Sequence, residues 1–267
     1  MRFVVPLDPR PSAPLVRANP IAKLAAALVL LVVLLVSLDG VTAAVILAVL
    51  LALVPASGLD PRALIGRSWL IGVTAVSIGL LNVILAPVQS GTIVLELGPL
   101  RIGSETLLDG AGLSLRLLAV VLAGIFATAT SQPTDVADAL IQQLRVSPRL
   151  AVGALAALRL LPVLARDWQT AALARRARGV EAGRSPIAAV RLFAGQLLGL
   201  LVGAVRRGSR MALAMEARGF GALPCRSVAR VQRMRQGDWA WIGGAVALAI
   251  GAVALSLSLG TWRPLIG

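Results

Sequence analysis

The chain contains no histidine, no tyrosine and a single cysteine, Cys225, in 267 residues. A lone thiol closes no internal disulfide, and without histidine there is no Cys/His set for a structural metal. Acidic residues are scarce, 12 against 26 Lys and Arg, and they read as lying outside the apolar stretches. Proton-driven pumps and ion pathways need intramembrane carboxylates or histidines. This argues against autonomous secondary transport and against a membrane metalloenzyme, and no metal or cofactor is expected. No serine has a plausible base and no Asp-rich pair exists, which argues against a lipid-modifying enzyme. The pattern G-x-x-x-x-G-K-[ST] is absent, so any ATP-driven work must draw on a partner. Aromatics are 3% of the chain and do not interleave with basic residues as in single-strand binders. Nucleic acid is not an expected partner.

What is present is apolar surface. Hydrophobic residues make up 58% of the chain and charged ones 14%, where soluble domains carry about 25% charged. The fold class expected is an all-α polytopic membrane protein. Five stretches read as spans, near Ile21–Leu38, Val41–Ala56, Trp69–Val88, Leu107–Thr130 and Trp239–Leu259. Lysine and arginine placement orients them. Arg2, Arg10, Arg17 and Lys23 put the N-terminus in the cytoplasm. Asp39 marks an outer turn, Arg62 and Arg67 an inner one, and Glu96 and Glu105 an outer one. Residues Pro133–Asp238 hold 17 of the 26 basic residues against six acidic ones, so they read as cytoplasmic. The last span then puts the C-terminus outside. Trp69, Trp239, Trp241 and Trp262 fall at span ends, as an aromatic belt would. The chain thus divides into three regions: residues 1–131, a membrane domain with four spans; residues 132–238, cytoplasmic; and residues 239–267, with the last span. Arg116 is the one charge that reads as buried in a span, through snorkelling or a polar partner, with contact to a partner subunit as the alternative. Asn82 reads as an interhelical hydrogen-bond donor.

The cytoplasmic region is too long to lack structure of its own. A short amphipathic helix is expected over Thr134–Leu144, with Val136, Leu140, Ile141 and Leu144 on one face. A second is expected over Arg149–Arg178, kinked at Pro162, and a third over Pro186–Arg218. Each long helix has an apolar first half and a basic second half. Each ends in the same triplet, Ala177-Arg178-Gly179 and Ala217-Arg218-Gly219, where glycine suits the left-handed residue that stops a helix. Basic residues at a helix end also complement its dipole, so two ordinary C-caps are the plain alternative. Gly195, Gly199 and Gly203 recur every four residues; such a stripe is usually a membrane-dimer face, and here it reads as marking where the second and third helices cross. Arg175, Arg176, Arg207 and Arg210 read as a steering rim or as lipid-headgroup contacts. Met211 and Met215 read as packing residues.

With its triplets in that context, the chain resembles the transmembrane T component of energy-coupling factor transporters. Asn19-Pro20-Ile21-Ala22-Lys23-Leu24 is similar to that family's Asp-Pro-Arg-x-Lys-Leu at the start of its first span, with Asn for Asp and Ala for Arg. Leu115-Arg116-Leu117-Leu118, Leu158-Arg159-Leu160-Leu161-Pro162 and Ala214-Met215-Glu216-Ala217-Arg218-Gly219-Phe220 extend the likeness. The resemblance implies a non-catalytic scaffold of an ATP-driven vitamin or metal-ion importer. Its partners would be two cytoplasmic ABC-type ATPase subunits, a membrane-embedded substrate-binding S component and the lipid bilayer. Arg178 would enter a groove on one ATPase and Arg218 a groove on the other. The alternative is a membrane scaffold whose basic platform binds anionic lipid or another partner.

Overall fold

The computed structural model describes residues 13–86, 92–97, 100–180, 183, 185–221, 228 and 230–262. Cys225, Arg2 and Arg10 lie outside the described residues. The helices are α1 (Pro14–Arg17), α2 (Pro20–Val36), α3 (Gly40–Ala52), α4 (Pro61–Leu85), α5 (Ser104–Ala129), α6 (Pro133–Gln143), α7 (Pro148–Ala177), α8 (Pro186–Ala217) and α9 (Gln236–Ser258). Proline opens α1, α2, α4, α6, α7 and α8, because the first turn of a helix has no use for an amide donor and proline presets its φ. Between α4 and α5 lies a feature not expected from the sequence, an antiparallel hairpin of β1 (Ile93–Leu97) and β2 (Leu100–Gly103).

The chain divides into two compact units. The first holds residues 1–139 and 232–267. Here α5 packs against α2, α3 and α4, while α9 packs against α2 and α3. The core gathers Leu34, Ile46, Leu122 and Phe126 with a stripe of small residues on α9, Ala245, Ala249 and Ala252. Backbones meet most closely at two glycine pairs. A methyl on Gly112 would lie 2.9 Å from the Gly40 Cα, and one on Gly110 would lie 2.7 Å from the Gly79 carbonyl oxygen. Small residues at such crossings let helices approach without side chains between them. Leu70, Val73, Leu80 and Leu81 on α4 stay exposed, as a lipid-facing surface would.

Several polar groups at the turn between α2 and α3 are tied down. Arg116 donates from Nη2 to the Ser37 carbonyl at the turn between α2 and α3, so it pairs inside the bundle. The same turn buries Asp39, which caps α3 by accepting from the Thr42 amide at 2.7 Å. Burial would raise the Asp39 carboxyl. Hydrogen bonds from Ser37, Thr42 and Ser256 outweigh it and hold the group below its ordinary value. Two expectations need correction. Asn82 is exposed and makes no hydrogen bond among the described residues, because that face of α4 meets no neighbouring helix. Asp109 falls in the second turn of α5, inside an apolar stretch, and is exposed.

Five described helices are long and apolar enough to cross a bilayer: α4 from Ser68, α5, α7, α8 and α9. The membership differs from the sequence expectation. Helices α2 and α3 are apolar but only 17 and 13 residues long, so they rise about 26 and 20 Å. Helices α7 and α8 qualify through apolar first halves that their basic second halves do not cancel.

Candidate functional site: the paired helix ends of the second unit

The second unit, residues 140–231, is built on α7 and α8. α7 runs unbroken through Pro162. The two helices are antiparallel. Arg175, near the end of α7, donates to the Leu192 carbonyl in the second turn of α8 at 2.6 Å. Arg149, near the start of α7, approaches Gly221 just beyond α8, where a methyl would lie 3.2 Å from its guanidinium. The C-terminus of each helix therefore sits beside the N-terminus of the other. The two triplets lie at opposite ends of the pair, on the order of 40 Å apart by helix rise.

Each triplet has the same local geometry. Arg178 occupies the cap position of α7 with φ −91° and ψ 7°, and Arg218 that of α8 with φ −87° and ψ 8°. Gly179 follows at φ +68° and Gly219 at φ +75°, a region costly for any residue with a Cβ. The Gly179 amide donates to the Arg176 carbonyl at 2.9 Å and the Val180 amide to the Arg175 carbonyl at 3.0 Å. At the other end the Gly219 amide donates to the Glu216 carbonyl at 2.9 Å and the Phe220 amide to the Met215 carbonyl at 3.0 Å. Both are Schellman motifs, which satisfy the last carbonyls and turn the chain away. The consequence is an arginine at the tip of a closed helix end, with only a methyl beside it. Ala177, Arg178, Gly179, Ala217, Arg218 and Gly219 are all exposed. Neither arginine side chain has a partner among the described residues. Several donors in a rigid fork are thus free to meet carboxylates or carbonyls.

The two ends differ in one respect. The last turn of α7 carries Arg175 and Arg176, while that of α8 carries no basic residue and includes Glu216. Favourable charge–dipole capping explains the arginine on α7 better than the one on α8.

Two arginines expected on the rim do other work. Arg175 is a strut of the crossing, and Arg207 forms an ion pair with Asp167 at 2.6 Å. Gln196, buried in α8, donates to the Trp168 carbonyl at 2.7 Å, and Trp168 meets Phe193 edge-on at 5.2 Å between ring centres. These contacts were not anticipated. The signal for Gln196 was its isolation, the one amide in the apolar half of α8. Gly195, Gly199 and Gly203 border this crossing, where with Asp167, Ala171 and Arg175 they line a groove of about 240 Å3. A methyl on Gly199 or Gly203 would meet nothing within 4 Å, so the stripe keeps a groove open. On the far side of the crossing a second groove of about 650 Å3 is lined by Ala157, Leu161, Val205, Met211 and Met215.

Fold and site together define a multi-pass helical membrane protein that displays two matched arginine tips, unpartnered among the described residues. The sequence model of the family described as "CbiQ: Cobalt transport protein" matches residues 11–227. The chain therefore belongs to this family, that of the transmembrane T components of energy-coupling factor transporters. Similar proteins carry the name energy-coupling factor transporter transmembrane protein EcfT. That of Lacticaseibacillus paracasei is 32% identical over 170 residues, covering 60% of this chain and 64% of the relative. That of Thermosediminibacter oceani is 29% identical, over 61% and 64%. That of Listeria innocua is 28% identical over 240 residues, covering 83% and 86%. The chain thus spans just under two thirds of the first two relatives.

Proposed function

We propose that this chain is the scaffold and energy-coupling subunit of an ATP-driven importer of the energy-coupling factor type, for a vitamin or a metal ion. Two cytoplasmic ABC-type ATPase subunits bind the second unit, one at Arg178 and the other at Arg218. The opposed placement of two identical Schellman-capped arginines carries this reading. Antiparallel helices give each ATPase its own end, and a two-fold pair of ATPases needs two like contacts. The chain itself is non-catalytic, and hydrolysis belongs to the partners.

The first unit and the apolar faces of α7 and α8 are read as the platform for a membrane-embedded S component. Val190, Leu197, Leu198, Leu201 and Val205 on α8 are exposed, which leaves large apolar surface to be covered by a partner or by lipid. The N-terminus lies in the cytoplasm and the C-terminus outside, by the distribution of arginine. With 132–238 in the cytoplasm, α7 and α8 lie against the membrane or its proteins and do not cross it. The crossing of α7 and α8 beside Gly195, Gly199 and Gly203 sets the angle between the two tips.

The test is affinity purification of the tagged chain from detergent-solubilised membranes of its source, with mass spectrometry of the co-purified proteins. Two ATPase copies and one small integral membrane protein per chain are expected. Recovery of the chain alone, or with anionic lipid only, overturns the reading in favour of a lipid-binding scaffold.

A further inference from the structure

The sequence holds one lysine among 26 basic residues, Lys23. It lies in the first turn of α2 and is 4% exposed. Its ammonium donates to the Thr130 carbonyl at 2.8 Å, the Thr130 hydroxyl at 3.3 Å and the Val16 carbonyl at 3.5 Å. Thr130 caps the C-terminus of α5, so a cation meets the negative end of that helix. Asp135 and Asp238 act on the same ammonium electrostatically. Asp135 stands in the first turn of α6 and Asp238 in the first turn of α9.

Asp238 completes the arrangement. One carboxylate oxygen accepts from the Asn19 amide at 2.7 Å and the other from the Arg235 amide at 2.7 Å. Asn19 in turn caps α2, accepting from the Ile21 amide at 2.9 Å. Asn19, Thr130 and Asp238 are each no more than 5% exposed. Thr130 ends α5 shortly before the chain leaves the first unit at Ala139, and Asp238 follows shortly after its return at Gln232. Both roots of the long insertion are therefore fastened to one place, the start of α2. Buried charges in such a network need every partner in place.

We propose that Lys23 and Asp238 are positioning residues for energy coupling, clamping both roots of the insertion to α2 so that a force on the insertion moves the membrane helices instead of bending its roots. This rests on the reading that ATPases bind the second unit. A single missing partner would leave the arginine tips intact and the roots loose.

The experiment is hydrogen exchange with mass spectrometry on the chain purified with its ATPases, with and without ATP plus orthovanadate. In the wild type, trapping nucleotide is expected to change exchange at the starts of α2 and α9 together, by about threefold or more. In Lys23→Met and in Asp238→Asn that change at α2 is expected to vanish, while ATPases co-purify at wild-type yield and still hydrolyse ATP. Survival of the change in either variant overturns the clamp, as does its absence in the wild type. A variant that reaches the membrane but sheds its ATPases also overturns it, because the role is then assembly. If one variant fails to reach the membrane, the other decides. A wild-type chain that holds no ATPases sinks the parent reading instead.

Discussion

Replacing Gly112 with alanine adds one methyl where α3 and α5 touch backbone to backbone. That methyl would sit 2.9 Å from the Gly40 Cα, whereas carbon atoms rest at about 3.5–4.0 Å. Neither atom is at the end of a flexible side chain, so the helices must part by about 1 Å. Overpacking of this kind costs about 1–3 kcal/mol, partly offset by about 1 kcal/mol from the better helix former. The same change at Gly199 meets nothing within 4 Å and keeps only the gain. The two variants should therefore differ by about 2 kcal/mol, which for a chain of this size is on the order of 5 °C in apparent melting temperature. Fluorescence-detected size exclusion after a heating series in detergent measures it. Gly112→Ala should melt below the wild type, and Gly199→Ala at or above it. Gly112→Ala melting together with Gly199→Ala would refute the assignment of close packing to α3 and α5.

Other contacts lead to further expected outcomes. Arg116→Met leaves the Ser37 carbonyl beside Asp39 without its cation, and should cost about 1–3 kcal/mol in the same melting assay. The Asp39 carboxyl is held below its ordinary value when folded. Its contribution to stability is therefore complete above the ordinary carboxylate range and is lost as pH falls through the folded value. Asp39→Asn should flatten the decline in melting temperature on acidification, and an unchanged decline counts against the network. Gly179→Ala and Gly219→Ala force a Cβ into the left-handed region, costing about 1 kcal/mol each. They should weaken ATPase retention with little change in membrane level, as read by quantitative pull-down.

The helices of the second unit were legible because their signals are local. Pro186 and Gly219 bracket α8, and the apolar period fills the interval. The triplets were legible as helix ends for the same reason. Which glycines pack closely was not legible, because that depends on partners distant in sequence. Gly195, Gly199 and Gly203 have the spacing of a crossing motif, yet the tight contacts fall at Gly40 with Gly112 and at Gly79 with Gly110. The roles of Arg175 and Arg207 were hidden likewise, since their acceptors, the Leu192 carbonyl and Asp167, lie on the opposing helix. The hairpin from Ile93 to Gly103 was missed because its short strands sit where turn residues and charges mask alternation. Lys23 showed itself in the sequence only as one of the basic residues that orient the chain and within a resemblance. Its reach to Thr130, across 107 residues, needed the fold.

In the proposed assembly two arginine tips, at opposite ends of one helix pair, each hold one ATPase. Arg178→Glu and Arg218→Glu, singly and together, test it by co-purification of ATPases with the tagged chain at matched membrane levels. Each tip should contribute about 2 kcal/mol or more, roughly thirtyfold in affinity. Each single variant should retain about one ATPase in place of two, and the double variant almost none. Wild-type recovery of both ATPases by the double variant would contradict the account.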